Sequence, residues 1–232
     1  MFKIIRFKTI ITIICIAIIS IVLSLGIVAV SEIGNSPHLP YTIVLDAGHG
    51  GRDAGCSGVC TGVKESDINL SIVKKLQVML EDFGFRVILT RNDENGLYDN
   101  NVDNYKVSDM NHRIEIIEQA NPDFVVSIHQ NSYPTSHAIG AQTFWQENDS
   151  NSQNLANAIQ EMLIAQIPNA RMEANHGDYY ILKESKTHAV LVECGYLTNA
   201  EEEALLIQEE YQNKLAYAIT CGILKYFEIE NK

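Results

Sequence analysis

The stretch 41-YTIVLDAGHGGR-52 carries the first decision about this chain. Ile43, Val44 and Leu45 form a short apolar run that ends in Asp46 and breaks at Gly48, Gly50 and Gly51 around one imidazole, His49. An apolar run of that length closed by glycines predicts a buried strand that delivers a histidine at its carboxyl end, with room for close approach. Taken alone, the same residues also describe a strand-to-loop junction with a surface histidine.

Three later stretches bring comparable residues out of comparable settings. Lys64-Glu65-Ser66 opens a run in which Ile68, Ile72, Val73, Leu76, Met79, Leu80 and Phe83 follow the helical period, with Ser66 as a candidate cap. Val125 to Asn131 repeats the apolar run followed by a histidine, His129, and Val190-Leu191-Val192 ends in a carboxylate, Glu193, followed by Cys194 and Gly195. In an open α/β sheet, residues just past the carboxyl ends of strands converge on one edge, where such folds bind ligands. Two histidines and two glutamates would meet there. Two His and one Glu make a catalytic zinc donor set with an open fourth position for water, and a second Glu beside that water can act as general base.

With 46% hydrophobic and 20% charged residues over 232 positions, the chain has the composition of a globular protein, and it shows no internal repeat. Lys3, Arg6 and Lys8 precede Thr9 to Val30, an uncharged, isoleucine-rich stretch long enough to span a bilayer. Flanking positive charge favours a cytoplasmic N-terminus, with everything after Ser31 outside. Val28-Ala29-Val30-Ser31 is a poor small-x-small cleavage site, so an uncleaved signal anchor is favoured over a signal peptide. The organisation read from these features is an anchor over 1–31, a linker over 32–40 with Pro37 and Pro40, and one catalytic domain over 41–228.

Without its three N-terminal cations the chain keeps 14 Lys and Arg against 29 Asp and Glu, a net of −15. Nucleic acid is therefore excluded as a partner, because phosphate repels so acidic a domain. The five cysteines form no disulfide framework or zinc knuckle; only Cys56 and Cys60, in the glycine-rich loop Gly51 to Gly62, are placed to pair outside the cytosol.

Strands are expected at Phe85–Thr90, Ala141–Trp145, Tyr179–Leu182 and Ala189–Val192, in addition to those that deliver the histidines. Helices are expected from about Asp109 to Ala120, from Asp149 or Ser150 to Ala165, from a capping box at Thr198–Glu201, and from Glu209 to Tyr226 with Leu215, Ile219, Ile223 and Phe227 on one face. The Asn/Asp-rich segment Asn92–Ser108 reads as a mobile connection rather than a substrate lid. The alternation gives the α/β class: a single domain with a twisted, mostly parallel or mixed sheet of about six strands flanked by helices, preceded by a transmembrane segment.

With these residues assembled, residues 41 to 228 resemble the zinc-dependent N-acetylmuramoyl-L-alanine amidases of the amidase-3 family. The motifs that carry the likeness are LDAGHGG (45–51), KESDINL (64–70), VSIHQNS (126–132) and LVECGYLTNAEE (191–202). Position by position, the resemblance implies that one Zn2+ is held by His49, Glu65 and His129, that Glu193 is the catalytic acid/base, and that the substrate is peptidoglycan. The bond cleaved would join N-acetylmuramic acid to L-alanine. VSDMNHR (107–113), DYYILK (178–183), the N-terminal hydrophobic segment and the lack of a wall-binding repeat are most similar to the germination-specific, spore-cortex type. That likeness implies an extracytoplasmic enzyme of cortex maturation and muramic-δ-lactam formation, with a protein activator or a deacetylase in the same pathway. A general cell-wall amidase of growth or daughter-cell separation is the alternative.

His188 stands where a proline is common before the Ala189–Glu193 strand, and the Cys56–Cys60 loop is unusual; neither is expected to touch a ligand. The stretch Asn131–Ser150 is too short for the inhibitory helix of some relatives. Two rivals remain: a cysteine peptidase using Cys194 with His49 or His129, and a zinc-holding or glycan-binding scaffold without turnover. Strand alternation turns Cys194 away from the face that Glu193 occupies, which opposes the first, and an intact Glu193 opposes the second. His112, His137, His176 and His188 read as structural or surface residues, with His176 nearest the cleft.

Overall fold

A computed structural model describes residues 39–230. The expected anchor and most of the linker lie outside the described residues, among which no helix is long and apolar enough to cross a membrane. Six strands, β1 (Thr42–Ala47), β2 (Arg86–Leu89), β3 (Phe124–Asn131), β4 (Gln142–Trp145), β5 (Asn175–His176) and β6 (His188–Tyr196), form one sheet in the order β2-β1-β3-β6-β4-β5. The first four in that order run parallel, while β4 and β5 run antiparallel to β6, so the sheet is mixed.

The helices are α1 (Glu65–Asp82), α2 (Tyr105–Ala120), α3 (Ser150–Gln166), α4 (Tyr180–Glu184), α5 (Ala200–Leu206) and α6 (Glu209–Glu230). Alternate side chains of a strand face opposite sides, and here both sides are buried. Ile43, Leu45, Val126, Ile128, Val190 and Val192 pack against Ile72 and Leu76 of α1, Leu155 and Ile159 of α3, and Leu215 and Ile219 of α6. On the other face Val44, Val125, Ala189 and Leu191 meet Ile117 of α2 and Ile181 and Leu182 of α4. Strands covered on both faces read as continuous apolar runs, which is why the central three are so evident in the sequence.

Several local expectations are corrected. Tyr179–Leu182 is not a strand: Tyr179 precedes α4, whose first turn closes when the Leu182 and Lys183 N–H groups donate to its carbonyl. Four apolar or aromatic residues carry no period long enough to separate strand from helix. The helix expected from Asp109 begins at Tyr105, capped by Asn104 accepting from the Val107 N–H. The cap of α5 is Asn199, which accepts from the N–H groups of Glu201 and Glu202, while the Thr198 hydroxyl accepts from the Tyr133 N–H instead. Nor does Ser66 cap α1; Lys64 occupies that position without a side-chain bond, and Ser66 lies buried in the first turn.

Candidate metal centre

Strands β1 and β3 pair in parallel, and their carboxyl ends bring His49 and His129 together, ring centroids 4.9 Å apart. Gly48 makes this approach possible: a Cβ there would lie 2.2 Å from Nε2 of His129. His49 itself takes a left-handed backbone, φ 62°, an uncommon conformation for a non-glycine residue that clusters at functional sites. Its Nδ1 lies 2.8 Å from Oδ2 of Asp53, which leaves Nε2 facing Oε1 of Glu65 at 3.2 Å. The same Oε1 is 2.9 Å from Nδ1 of His129 and also accepts from the Gln130 N–H and the Asn69 side-chain amide. Ligand-capable atoms of His49, Glu65 and His129 all lie within 4.8 Å of one another, a group that could hold a metal ion.

The electrostatics follow from this crowding. Burial alone would lower the His49 pKa, but its hydrogen bonds to Asp53 and Glu65 reverse that and raise it to about 9. Burial would raise Glu65; the two histidines outweigh it and hold the carboxyl well below the usual range. Two imidazole nitrogens aimed at one buried carboxylate, with the other nitrogen of His49 fixed by a second carboxylate, is a donor set that suits zinc.

Glu193 stands beside this group, across the β3–β6 ladder from His129, and is only 6% exposed. Its Oε2 is buried with no hydrogen-bond partner. Burial is the main influence on its carboxyl and pushes the pKa up to about 7; Glu65 acts in the same direction, while His129, the Tyr179 hydroxyl and His49 oppose it. Cys194 faces the opposite side, 1% exposed in the main core, where burial pushes its thiol well above the ordinary value. A thiol kept protonated there is no nucleophile, so the peptidase rival loses its reactive group.

Around the site lie residues that the sequence reading passed over. Asp46 accepts from Arg113 at 2.6 Å, Ser127 at 2.6 Å and Thr90 at 2.7 Å, and Arg113 is also paired with Asp109. Arg113 donates to the carbonyls of Ala47 and His49, and Arg91 to those of Ala47, Gly48 and Ser66. Two buried guanidinium groups thus hold the carbonyls of the turn that presents His49. Only the Asp109/Arg113 spacing on one helix face hinted at this, since burial of a charge is invisible in sequence.

The segment after β2 is tied to the turn that presents His49 and to α2. Gly51 N–H donates to the Glu94 carbonyl, Arg52 N–H to the Tyr98 hydroxyl and Leu97 N–H to Asp109, so the segment buttresses the His49 turn. The expectation that the cysteine loop touches no ligand is also corrected, because the Cys56 N–H donates to Oε2 of Glu65 at 2.9 Å. His188 instead bonds Asp149, the cap of α3, and Asn151. His112 bonds the Ser108 carbonyl, and His176 is exposed on β5; neither belongs to the ligand-capable group.

Cys56 and Cys60 are unpaired thiols; the Cys56 N–H donates to Oε2 of Glu65, and its sulfur lies against the Gln130 and Asn131 carbonyls, where burial first and the Glu65 carboxylate second keep the thiol protonated. A Cys56→Ser/Cys60→Ser variant is therefore expected to keep most of its activity and its metal. Loss of hydrolysis in folded, metal-loaded variant would show that the thiols take part.

The family model described as N-acetylmuramoyl-L-alanine amidase matches residues 43–225. The germination-specific N-acetylmuramoyl-L-alanine amidase of Bacillus subtilis is 33% identical over 190 residues, 80% of this chain and 79% of that protein. Among solved structures, the CwlD amidase of Clostridioides difficile, determined in complex with the GerS lipoprotein, superposes with a TM-score of 0.78 at 39% identity, covering 82% of this chain and 99% of that one. The catalytic domain of the Bacillus (Paenibacillus) polymyxa amidase CwlV gives a TM-score of 0.72 at 31% identity, with 82% and 99% covered.

Proposed function

The chain belongs to the amidase-3 family of N-acetylmuramoyl-L-alanine amidases, and on that premise we propose that it is a zinc enzyme acting on peptidoglycan in the spore cortex, with His49, Glu65 and His129 as the metal ligands and Glu193 as the catalytic acid/base. The observation that carries the assignment is the convergence of those three side chains at one sheet edge with a buried carboxylate in the adjoining strand, one oxygen of which, Oε2, has no hydrogen-bond partner.

Bound zinc would supply Lewis acidity, polarising the scissile carbonyl and acidifying water toward neutrality. Glu193 takes a proton from the attacking water and passes it to the departing alanine nitrogen. A carboxyl whose pKa burial has raised to about 7 is poised for both transfers near neutral pH. Asp53 keeps His49 in the tautomer that turns Nε2 toward Glu65, and Asn69, Gln130 and Cys56 fix the Glu65 carboxylate in place.

Two likenesses support the cellular setting. The Bacillus relative is named as germination-specific, and the Clostridioides amidase was solved with a lipoprotein, so this chain is assigned a role in cortex maturation and a lipoprotein partner on the outer side of the membrane. Residues 9 to 30 would hold the domain at that membrane; N-terminal sequencing of membrane-fraction protein should find them attached, and a mature start near Glu32 would mean a cleaved signal.

Mass spectrometry of peptidoglycan incubated with the domain should detect free stem peptides that begin with L-alanine, and an unchanged digest would reject the activity. Elemental analysis should find one zinc per wild-type chain and little in His129→Ala; undiminished zinc in the variant would remove His129 from the ligand set. Spores lacking the protein should have cortex without muramic-δ-lactam. A separation defect in growing cells with normal cortex would assign the general wall role instead.

A further inference from the structure

Two adjacent carboxylates on α5, Glu202 and Glu203, are buried, 5% and 0% exposed, yet neither forms an ion pair within 4.0 Å among the described residues. Each is instead consumed by hydrogen-bond donors, those of Glu203 from a loop beside the site and those of Glu202 from β6 and the approach to β4. Glu203 accepts from the Cys60 N–H at 2.6 Å, the Thr61 N–H at 2.8 Å and the Thr61 hydroxyl at 2.6 Å. Glu202 accepts from the Gly140 N–H at 2.8 Å and the Tyr196 N–H at 2.7 Å. Buried carboxylates that accept several N–H and O–H bonds are fixed in place by charge-assisted contacts stronger than neutral ones.

The loop that Glu203 holds is a closed hairpin. Gly58 N–H donates to the Val63 carbonyl, Ser57 and Lys64 form a bridge, and at its base the Glu65 N–H donates to the Cys56 carbonyl. Cys56 N–H returns to Oε2 of Glu65. The tip of this hairpin is thus fastened to α5, and its base fastens the carboxylate at the centre of the site. Gly58 marks how close the two elements come, since a Cβ there would lie 2.2 Å from Oε1 of Glu203. The groups held by Glu202 lie on the other side. Tyr196 follows Glu193 across a register shift in β6, and Gly140 leads into β4, where Gln142 is the neighbour of Glu193.

We infer that Glu203 and Glu202 are positioning residues for the two halves of the reaction: Glu203 sets the metal affinity of the His49/Glu65/His129 group through the Cys56–Glu65 hairpin, and Glu202 sets the placement of Glu193 through β6. The inference rests on the proposed ligand and acid/base roles, and it divides two neighbouring residues of one helix between two measurable quantities.

Glu203→Gln keeps the size of the side chain but turns an amide N–H2 toward one of the three donors. Loss of a supporting partner of a metal ligand typically costs about 10-fold to 100-fold in metal affinity. Competition with a chromophoric chelator should therefore show zinc bound about 10-fold or more weakly in Glu203→Gln, with turnover near wild type once zinc saturates. Glu202→Gln should show the converse, unchanged zinc affinity and a lower kcat at saturating zinc. Thr61→Ala should weaken zinc binding less than Glu203→Gln, and Thr61→Ser should restore it; this pair carries the test if Glu203→Gln does not fold. Equal zinc affinity in wild type, Glu203→Gln and Thr61→Ala would overturn the role of Glu203, and parallel loss of both quantities in both variants would reduce the pair to general stability. If the wild type binds no zinc, or if His129→Ala binds it equally well, the ligand assignment itself fails.

Discussion

Glu193→Gln is expected to lower turnover by about 100-fold to 10,000-fold, the usual contribution of general acid/base catalysis, while the protein stays folded and binds zinc as the wild type does. Glutamine matches the size of the side chain and can still accept a hydrogen bond at its carbonyl oxygen, but it cannot take a proton from water and return it to the leaving nitrogen. The wild-type carboxyl is almost wholly buried, so removing its charge relieves desolvation and should not destabilise the fold. Steady-state hydrolysis of purified peptidoglycan, read beside zinc content and a thermal unfolding curve, separates chemistry from structure. Cys194→Ala gives the opposite pattern, a stability loss from a small core cavity with turnover retained. If Cys194→Ala abolishes hydrolysis in folded, zinc-loaded protein while Glu193→Gln does not, the metal amidase mechanism is wrong, and a chain that hydrolyses nothing in any form would be a scaffold.

The second large effect lies beneath the site, in the charge cluster of Asp46, Asp109 and Arg113. Arg113 is 1% exposed and Asp46 likewise 1%, joined at 2.6 Å. Breaking a buried pair by removing one partner strands the other, which costs about 3 to 5 kcal/mol. Asp46→Ala should therefore lower the unfolding free energy by that amount in denaturant titrations, and Arg113→Met should do so comparably by stranding Asp46 and Asp109. Because Arg113 also holds the carbonyls of Ala47 and His49, folded fractions of these variants should bind zinc more weakly. A loss below about 1 kcal/mol in both would mean that water reaches the cluster and screens it.

The same cluster sets a pH dependence. Burial would raise the Asp46 pKa, but Arg113, the Ser127 hydroxyl, His129 and the Thr90 hydroxyl, in that order of influence, lower it from 3.8 to about 2. A carboxyl depressed in the folded state binds its proton more readily when unfolded. Its contribution is complete above the unfolded value near 3.8 and is lost as pH falls through about 2. Unfolding free energy measured between pH 4 and pH 2 should fall more steeply for wild type than for Asp46→Asn, and equal slopes would remove Asp46 as the cause.

The four side chains of the candidate site that lie together in the fold, His49, Glu65, His129 and Glu193, were legible in the sequence, because each signal is local. An apolar run broken by glycine, an amphipathic period starting at Lys64-Glu65, and an apolar run ending in a carboxylate are contained in windows of about ten residues, although the strand of that last run continues past Glu193 to Tyr196, and strand alternation alone was enough to turn Cys194 from Glu193. The central strands were equally plain, since burial on both faces leaves no polar alternation to confuse them. What lay beyond the sequence depended on which distant groups meet. That Tyr180–Glu184 is helical was decided by Ile181 and Leu182 packing together onto the face formed by Val44, Val125 and Leu191, not by any period of its own. The orientation of His49 by Asp53 needed a left-handed turn that folds the chain back over four residues, and the capture of its carbonyls by Arg113 needed α2 laid against β1. Glu203 reads in sequence as one more acidic residue in a helix start; only the folded chain brings it to the Cys56–Glu65 hairpin, because a carboxylate's partners are fixed by proximity in space and not by its place in a motif.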